Sequence, residues 1–272
     1  MFMTKKILIT GASGRVGKAA GDYLCAQGYS AIGVSRSVRE EANCFTDTAQ
    51  IDLLEESDLE SLEELMREKG VDAVFHLAWN IPAENFDTHT AWEPNMEMFE
   101  NVVEASKNAG VRVFINGSSI HAGTGDIGAY TVDADFEGTP QPYKDSINSD
   151  KDFDLRKENP GKLLDPRVEN PDSPYGWSKI ITERKLKEAV ENGDFQIGVS
   201  IRIGGVTGDD VQFKEDEPFY SSLYWSHKDL GRTIENIITA DLKEKKGYHQ
   251  FYGVSDNEGR IFNIENQFTG KT

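Results

Sequence analysis

Cysteine is almost absent from the chain: Cys25 and Cys44 are two of 272 residues. Two thiols cannot build a disulfide framework. Long apolar runs are missing too. No uncharged run exceeds that of Val113–Gly125, 13 residues, short of the ~20 that a membrane-spanning helix needs. The N-terminus passes from a short basic start straight into Ile7–Ile9. It lacks the apolar core and small-residue cleavage site of a signal peptide. Positive charge is scarce, with 29 Lys+Arg against 47 Asp+Glu and a net charge of −18. Phosphate neutralisation requires a surplus of cations, so nucleic acid is excluded as a partner. Docking to an anionic membrane surface is excluded on the same ground. These absences describe a soluble globular chain, expected in the cytoplasm. Its length allows one large domain with a real core, or two small ones.

Short apolar runs alternate with helix-like stretches through residue 118. Lys6–Thr10 reads as a strand, Arg15–Gln27 as a helix stopped by Gly28, and Ser30–Val34 as a second strand. Ala49–Leu53 reads as a third strand. In Ser57–Lys69, Leu59, Leu62, Leu65 and Met66 fall at helical spacing, and Gly70 supplies the stop. Val71–Leu77, a helix over Trp92–Ala109 and Val111–Asn116 complete this half. Such alternation predicts parallel βαβ units in a doubly wound α/β sheet. Residues 126–171 break the pattern with 11 acidic and 6 basic residues and five of the nine prolines. They read as a long acidic surface insertion, a lid or a contact surface. Order resumes with a helix over Tyr175–Glu191, a strand Gln196–Arg202, a helix Lys228–Leu242 and a strand His249–Gly253.

The turn after the first strand is Thr10-Gly11-Ala12-Ser13-Gly14-Arg15-Val16-Gly17. Three glycines at this spacing, following a strand and opening a helix, form a dinucleotide fingerprint. Gly11 permits the tight turn, Gly14 lets the backbone approach a pyrophosphate, and Gly17 lets helix and strand pack closely. The helix N-terminus offers its free N–H groups to the phosphates. This makes the chain a Rossmann-type sheet, read as a single domain over 1–272, with 203–272 as a small C-terminal part mostly for substrate. An NAD site places an acid about 20 residues on, at the end of the second strand. Here Ser35, Arg36 and Ser37 stand instead. Hydroxyls and a guanidinium accept a 2′-phosphate, which a carboxylate would repel. Arg15 adds a second cation, and NADP is the expected cofactor, with NAD possible. Asp52 and Leu53, after the third strand, are placed to contact adenine.

Tyr175-Gly176-Trp177-Ser178-Lys179 puts a phenol and an ammonium one helical turn apart on one face. The fifth strand ends in Gly117-Ser118-Ser119, and ligands of parallel sheets bind at such strand ends. Tyr224…Lys228 repeats the spacing but has no serine partner in the pattern. Taking a proton from an alcohol as hydride leaves needs a base poised near neutrality. A lysine about 4 Å away at an effective dielectric of 20 supplies up to ~4 kcal/mol, some three pKa units. That would bring the phenol near 7. Ser119 would orient the substrate oxygen.

With these residues in place, the chain resembles the extended short-chain dehydrogenase/reductases. The matching marks are Thr10–Gly17, Asp52-Leu53, His76-Leu77-Ala78, Asn95, Ser118-Ser119, Tyr175 with Lys179, and Arg202. The resemblance implies catalytic Ser119, Tyr175 and Lys179, with Lys179 also holding the nicotinamide ribose. It implies a structural or relay role for Asn95. Ser13, Val16, Leu77, Ala78 and Ile203 would line the cofactor. It also implies a homodimer in which the helices Trp92–Ala109 and Tyr175–Glu191 pair across a twofold axis.

Ser118-Ser119-Ile120-His121 is similar to the Ser-Ser-Asn-His of uronate and aldose dehydrogenases. Those enzymes oxidise C1 of a cyclic sugar to a lactone, and His121 would bind a sugar hydroxyl. Asn80, Ile120 and Tyr220 would complete the substrate contacts. Ile120 replaces the family's asparagine, Tyr220 its carboxylate-clamping arginine, and Gly205 its serine after the sixth strand. A neutral aldose or related sugar is therefore expected rather than a uronate. Only 70 residues follow Arg202, fewer than nucleotide-sugar epimerases usually carry. The alternatives are such an epimerase with retained NAD, a carbonyl reductase, or a nucleotide-sensing binding protein on the same fold.

Overall fold

The computed structural model describes residues 5–37, 45–80, 92–125, 163–213, 222–257 and 261–269. Seven strands form one sheet in the order β3-β2-β1-β4-β5-β6-β7. They are β1 (Lys6–Thr10), β2 (Ser30–Ser35), β3 (Asp47–Gln50), β4 (Ala73–His76), β5 (Val113–Ser119), β6 (Ile197–Ile203) and β7 (Gly247–Gly253). All six pairings are parallel. The helices between them are α1 (Arg15–Ala26), α2 (Glu56–Lys69), α3 (Trp92–Asn108), α4 (Pro174–Glu191) and α5 (His227–Thr239). This is the expected Rossmann-type α/β architecture.

The sheet is buried on both faces, as a parallel sheet must be. Strand periodicity sends Ile7 and Ile9 of β1 to one side and Leu8 to the other. Ile7 and Ile9 pack with Ala19, Ala20 and Leu24 of α1 and Leu230, Ile234 and Ile237 of α5. Leu8 packs with Leu62 and Met66 of α2 and Met98, Phe99 and Val102 of α3. A smaller cluster of Ile120, Leu223, Tyr252, Val254, Ile261 and Phe262 lies apart from these two. It joins the segment after β5 to the C-terminal residues.

Most element ends shift by one to three residues from the sequence reading, and two of the differences bear on the site. β3 covers Asp47–Gln50, not 49–53, because it pairs only with β2, and Ile51 and Leu53 turn into the core beyond it. β5 runs on to Ser119, paired through Ser119 with Ile203. Gly117-Ser118-Ser119 carries no apolar signature, so its strand character comes from pairing with β6. The insertion 126–171 is described only from 163 onward, and that portion is tied to the core. Leu164 bridges Phe262, and Asn170 N–H donates to the Ala122 carbonyl.

β1 and β4 are neighbours although β2 and β3 intervene in sequence, so the chain reverses its direction of travel there. Ligands of open parallel sheets bind at such a switch point. Close packing at this point depends on Gly17, where a Cβ would lie 2.6 Å from the Gly11 carbonyl oxygen and 2.9 Å from Ala12 Cα. Both obstacles are backbone. Gly17→Ala should therefore destabilise the fold by ~1–3 kcal/mol, read as a lowered urea midpoint; an unchanged midpoint would contradict this packing.

Candidate active site

The glycine turn begins where β1 ends. Thr10 Oγ1 accepts the N–H groups of Leu77 and Ala78 at 3.1 and 3.2 Å and pairs with His76 Nδ1 at 2.9 Å. This hydroxyl binds the ends of β1 and β4 together. Burial holds His76 far below the ordinary imidazole range, at about 3, helped by the Lys179 charge. Gly11 adopts φ +67°, and a Cβ there would sit 2.8 Å from Ala78 N. Gly14 differs: its φ of −78° suits any residue, and a Cβ would meet only the Gly11 carbonyl at 3.1 Å. No side chain caps α1, whose first residue is Arg15. An open glycine face at an uncapped helix N-terminus fits a pyrophosphate. Ser13, Arg15 and Arg36 are exposed, Val16 packs on the core, and Ser35 Oγ donates to the Ser37 carbonyl at 2.9 Å. Asp52 Oδ1 accepts Leu54 N–H at 3.1 Å, and Leu53 is buried. Both residues thus also build the turn into α2.

Beyond β4, buried Asn95 grips the backbone of Asn80 from both sides. Its Oδ1 accepts Asn80 N–H at 2.6 Å and its Nδ2 donates to Asn80 O at 2.9 Å. These two bonds fix the backbone just beyond β4. The residue so held is next to Trp79, whose ring lies 3.4 Å from Lys179 Nζ. Sequence reasoning missed Trp79, since a lone aromatic after a strand carries no signature.

α4 brings the phenol and the amine into place. Ser173 caps it, its Oγ accepting Gly176 N–H at 3.0 Å, and Pro174 opens the first turn. Tyr175, Lys179 and Glu183 then recur at four-residue spacing on one face. The Ser119 side chain faces the Tyr175 hydroxyl and favours its ionised form. Lys179 Nζ donates to Gly117 O at 2.9 Å and lies 5.6 Å from the Tyr175 ring centre. The structure thus unites Ser119, Tyr175 and Lys179 at the ends of β5 and α4.

The electrostatics differ from the sequence expectation. Burial pushes the Tyr175 phenol up to about 12, opposed by the Ser119 hydrogen bond and reinforced by the Asp172 charge. Burial draws Lys179 down to about 7, with the Glu183 charge opposing. Desolvation outweighs mutual stabilisation because the ammonium faces a carbonyl and an indole ring rather than the phenol oxygen.

The β5 end leads into a 3₁₀ turn over Ile120–Ala122. Ile120 is buried in the small cluster, away from the polar groups. His121 lies 5.4 Å from Tyr175 between ring centres and pairs through Nδ1 with both Asp172 oxygens at 3.0 and 2.9 Å. Asp172 and Thr124 were not singled out from sequence. The Asp-Ser-Pro string before Tyr175 was the available signal, a helix-cap pattern. Leu77, Ala78 and Ile203 lie at the ends of β4 and β6, and Tyr220 is outside the described residues. Tyr224 does not join this group. Its hydroxyl donates to Asp210, the one described non-glycine residue with positive φ, and Lys228 lies on α5.

Residues 7–146 match the NAD dependent epimerase/dehydratase family. The chain belongs to that family. An NAD-dependent glucose-6-phosphate dehydrogenase of Haloferax volcanii is 26% identical over 264 residues, 97% of this chain and 90% of that protein. Uronate dehydrogenase from Agrobacterium tumefaciens shares the fold with a TM-score of 0.67 at 21% identity, covering 96% of this chain and 80% of that one. A glucuronic acid dehydrogenase from Chromohalobacter salexigens gives 0.66 at 20% identity, covering 97% and 81%. No described helix is long and apolar enough to cross a membrane.

Because Lys179 titrates lower folded than the ordinary 10.5, the unfolded chain binds more protons between about 7 and 10.5. Stability from this group therefore rises with pH across that window. Relative to Lys179→Met, the native chain should gain up to ~1.4 kcal/mol per pH unit in urea unfolding between pH 7 and 9.5. Parallel pH profiles would contradict the burial effect.

Proposed function

We propose that the protein is an NAD(P)-dependent sugar dehydrogenase that oxidises the C1 hydroxyl of a free aldose or related sugar to a lactone. The observation that carries this reading is the buried Tyr175 hydroxyl facing Ser119, one turn from Lys179, at the strand ends that also hold the open glycine turn. The relatives named for dehydrogenation of sugars and sugar acids support it.

A bound oxidised nicotinamide supplies the hydride acceptor. The chain supplies the rest. Ser119 holds the substrate oxygen and Tyr175 Oη takes its proton. Tyr175 accepts that proton as the phenolate and becomes the neutral phenol; Lys179 stabilises the phenolate beforehand, because burial disfavours that anion until a cation and a hydroxyl donor face it. Gly11, Gly14 and Gly17 with the α1 N-terminus bind the pyrophosphate, Ser13 and Val16 flanking them. Asp52 and Leu53 face adenine, and Leu77, Ala78 and Ile203 line the nicotinamide end, with Asn95 fixing the loop beyond β4. Ser35, Arg36 and Arg15 favour NADP, whereas the Haloferax volcanii relative is named for NAD. Asn80, His121 and Tyr220 shape the sugar site, with 203–272 as its wall and Ile120 supporting it from the apolar cluster rather than by a contact of its own. α3 and α4 pair across a twofold axis, giving a solution mass of two chains.

The test is a panel of free aldoses, uronates and aldose phosphates, with NADP and with NAD, read as absorbance of the reduced cofactor. An aldose should be oxidised, and Tyr175→Phe should lower kcat by ~10²–10⁴-fold. Arg36→Ala should raise KM for NADP by ~10-fold, the loss of one charge-assisted bond, and leave KM for NAD unchanged. Activity only with aldehydes or ketones, or only interconversion of nucleotide sugars with retained NAD, would overturn the reading.

A further inference from the structure

Asp172 takes no proton from substrate in the scheme above, yet it is 2% exposed and stands at the foot of the helix that carries Tyr175. Its oxygens are fully engaged. Oδ1 accepts the Ser173 hydroxyl at 2.7 Å and Oδ2 the Thr124 hydroxyl at 2.6 Å. The direction of the Ser173 bond is fixed by its neighbour, because Ser173 Oγ already accepts Gly176 N–H and its own hydrogen points to the carboxylate. The backbone couples the same two residues again, Asp172 N–H donating to His121 O at 3.1 Å. A Cβ on Gly176 would lie 2.1 Å from that carbonyl oxygen, so the segments abut without slack.

A carboxylate is an acceptor only. With both oxygens receiving hydroxyl hydrogens, the contact at 2.9–3.0 Å from His121 Nδ1 requires the hydrogen on Nδ1. A neutral imidazole with its hydrogen on Nδ1 carries a lone pair on Nε2. The Tyr175 ring, edge-on at 73°, steadies the imidazole beside the phenol.

We propose that Asp172 is a positioning residue that locks His121 as the Nδ1–H tautomer, making Nε2 an acceptor for a sugar hydroxyl next to the reacting carbon. The substrate half of this statement rests on the sugar-dehydrogenase reading; the tautomer half does not. A fixed acceptor admits a hydroxyl and disfavours a carboxylate or phosphate oxygen at that position, since neither brings a hydrogen. The subsite therefore selects a polyhydroxylated, locally uncharged face of the substrate.

The test reads the tautomer first, in the full chain labelled with ¹⁵N-histidine at pH 8. Long-range ¹H–¹⁵N correlation spectra report which ring nitrogen is protonated, and His121→Gln identifies the His121 signals. The expected spectrum shows protonated Nδ1 and bare Nε2, with Asp172→Asn moving the population toward Nε2–H. Thr124→Val, which leaves the His121–Asp172 contact intact, should keep the native pattern. A native His121 that is mainly Nε2–H or doubly protonated overturns the proposal, even if Asp172→Asn does not fold. So does an Asp172→Asn spectrum identical to the native one. Kinetics with the active aldose form the second arm. Asp172→Asn should raise its KM by ~10-fold, the loss of one well-placed hydrogen bond to a buried acceptor, with the loss falling on KM rather than kcat. A loss confined to kcat would reject the substrate-binding role. A panel with no active sugar, beside the expected spectrum, would sink the functional reading and leave the tautomer lock standing.

Discussion

The candidate site depends on one buried ion pair. Glu183 and Arg202 have side chains 3% and 0% exposed and meet through two bonds of 2.9 Å, Nε to Oε1 and Nη2 to Oε2. Two charges so far from water are tolerated only when every remaining polar position is filled. Here it is filled from three directions. Ser118 Oγ donates to Glu183 at 2.5 Å, Gln250 Nε2 donates to it at 2.9 Å, and Arg202 Nη1 donates to Val168 O at 2.7 Å. Gln250 reaches on to the Pro166 carbonyl at 2.7 Å. Burial disfavours the Arg202 cation, but the Glu183 charge more than offsets this and raises its pKa above the usual arginine value.

The consequence is positional. Glu183 shares a helical face with Tyr175 and Lys179, so fixing it fixes the height and rotation of α4 over the sheet. Ser118 is adjacent to Ser119, so the same carboxylate sets β5 relative to the phenol. Val168 and Pro166 belong to the segment that leads into Asp172 and the helix cap. One pair therefore joins α4, β5, β6, β7 and the approach to the helix, and the groups around Tyr175 inherit their spacing from it. The polar atoms of this layer are nearly all satisfied. Among the described residues, Asn116 Oδ1, His76 Nε2 and Tyr252 Oη are buried without a hydrogen-bond partner.

Much of this was legible in the sequence. The glycine turn, the order of strands and helices, and the Tyr175–Lys179 spacing all follow from periodicity and backbone sterics, which act locally. Gly11 and Gly17 stand where a Cβ would strike backbone. The Ser118-Ser119 strand ending was legible only as a motif, because its strand character comes from pairing with β6. Asp172, Thr124 and Glu183 were not legible, since each acts through a partner tens of residues away that only the fold brings near. The pKa of the phenol was misjudged for a related reason. Spacing gives the distance of a charge along a helix, but not the direction in which its ammonium turns or how far water withdraws. Lys179 turns to Gly117 and Trp79, and desolvation prevails.

The role of the buried pair is open to a direct measurement, a double-mutant cycle in urea unfolding with Glu183→Gln, Arg202→Met and the two combined. Each single change leaves a buried charge uncompensated and should destabilise by ~3–5 kcal/mol. The double variant leaves none, so its loss should fall well below the sum of the two. Losses that simply add, or single variants within ~0.5 kcal/mol of the native chain, would contradict the claim that this pair sets the site.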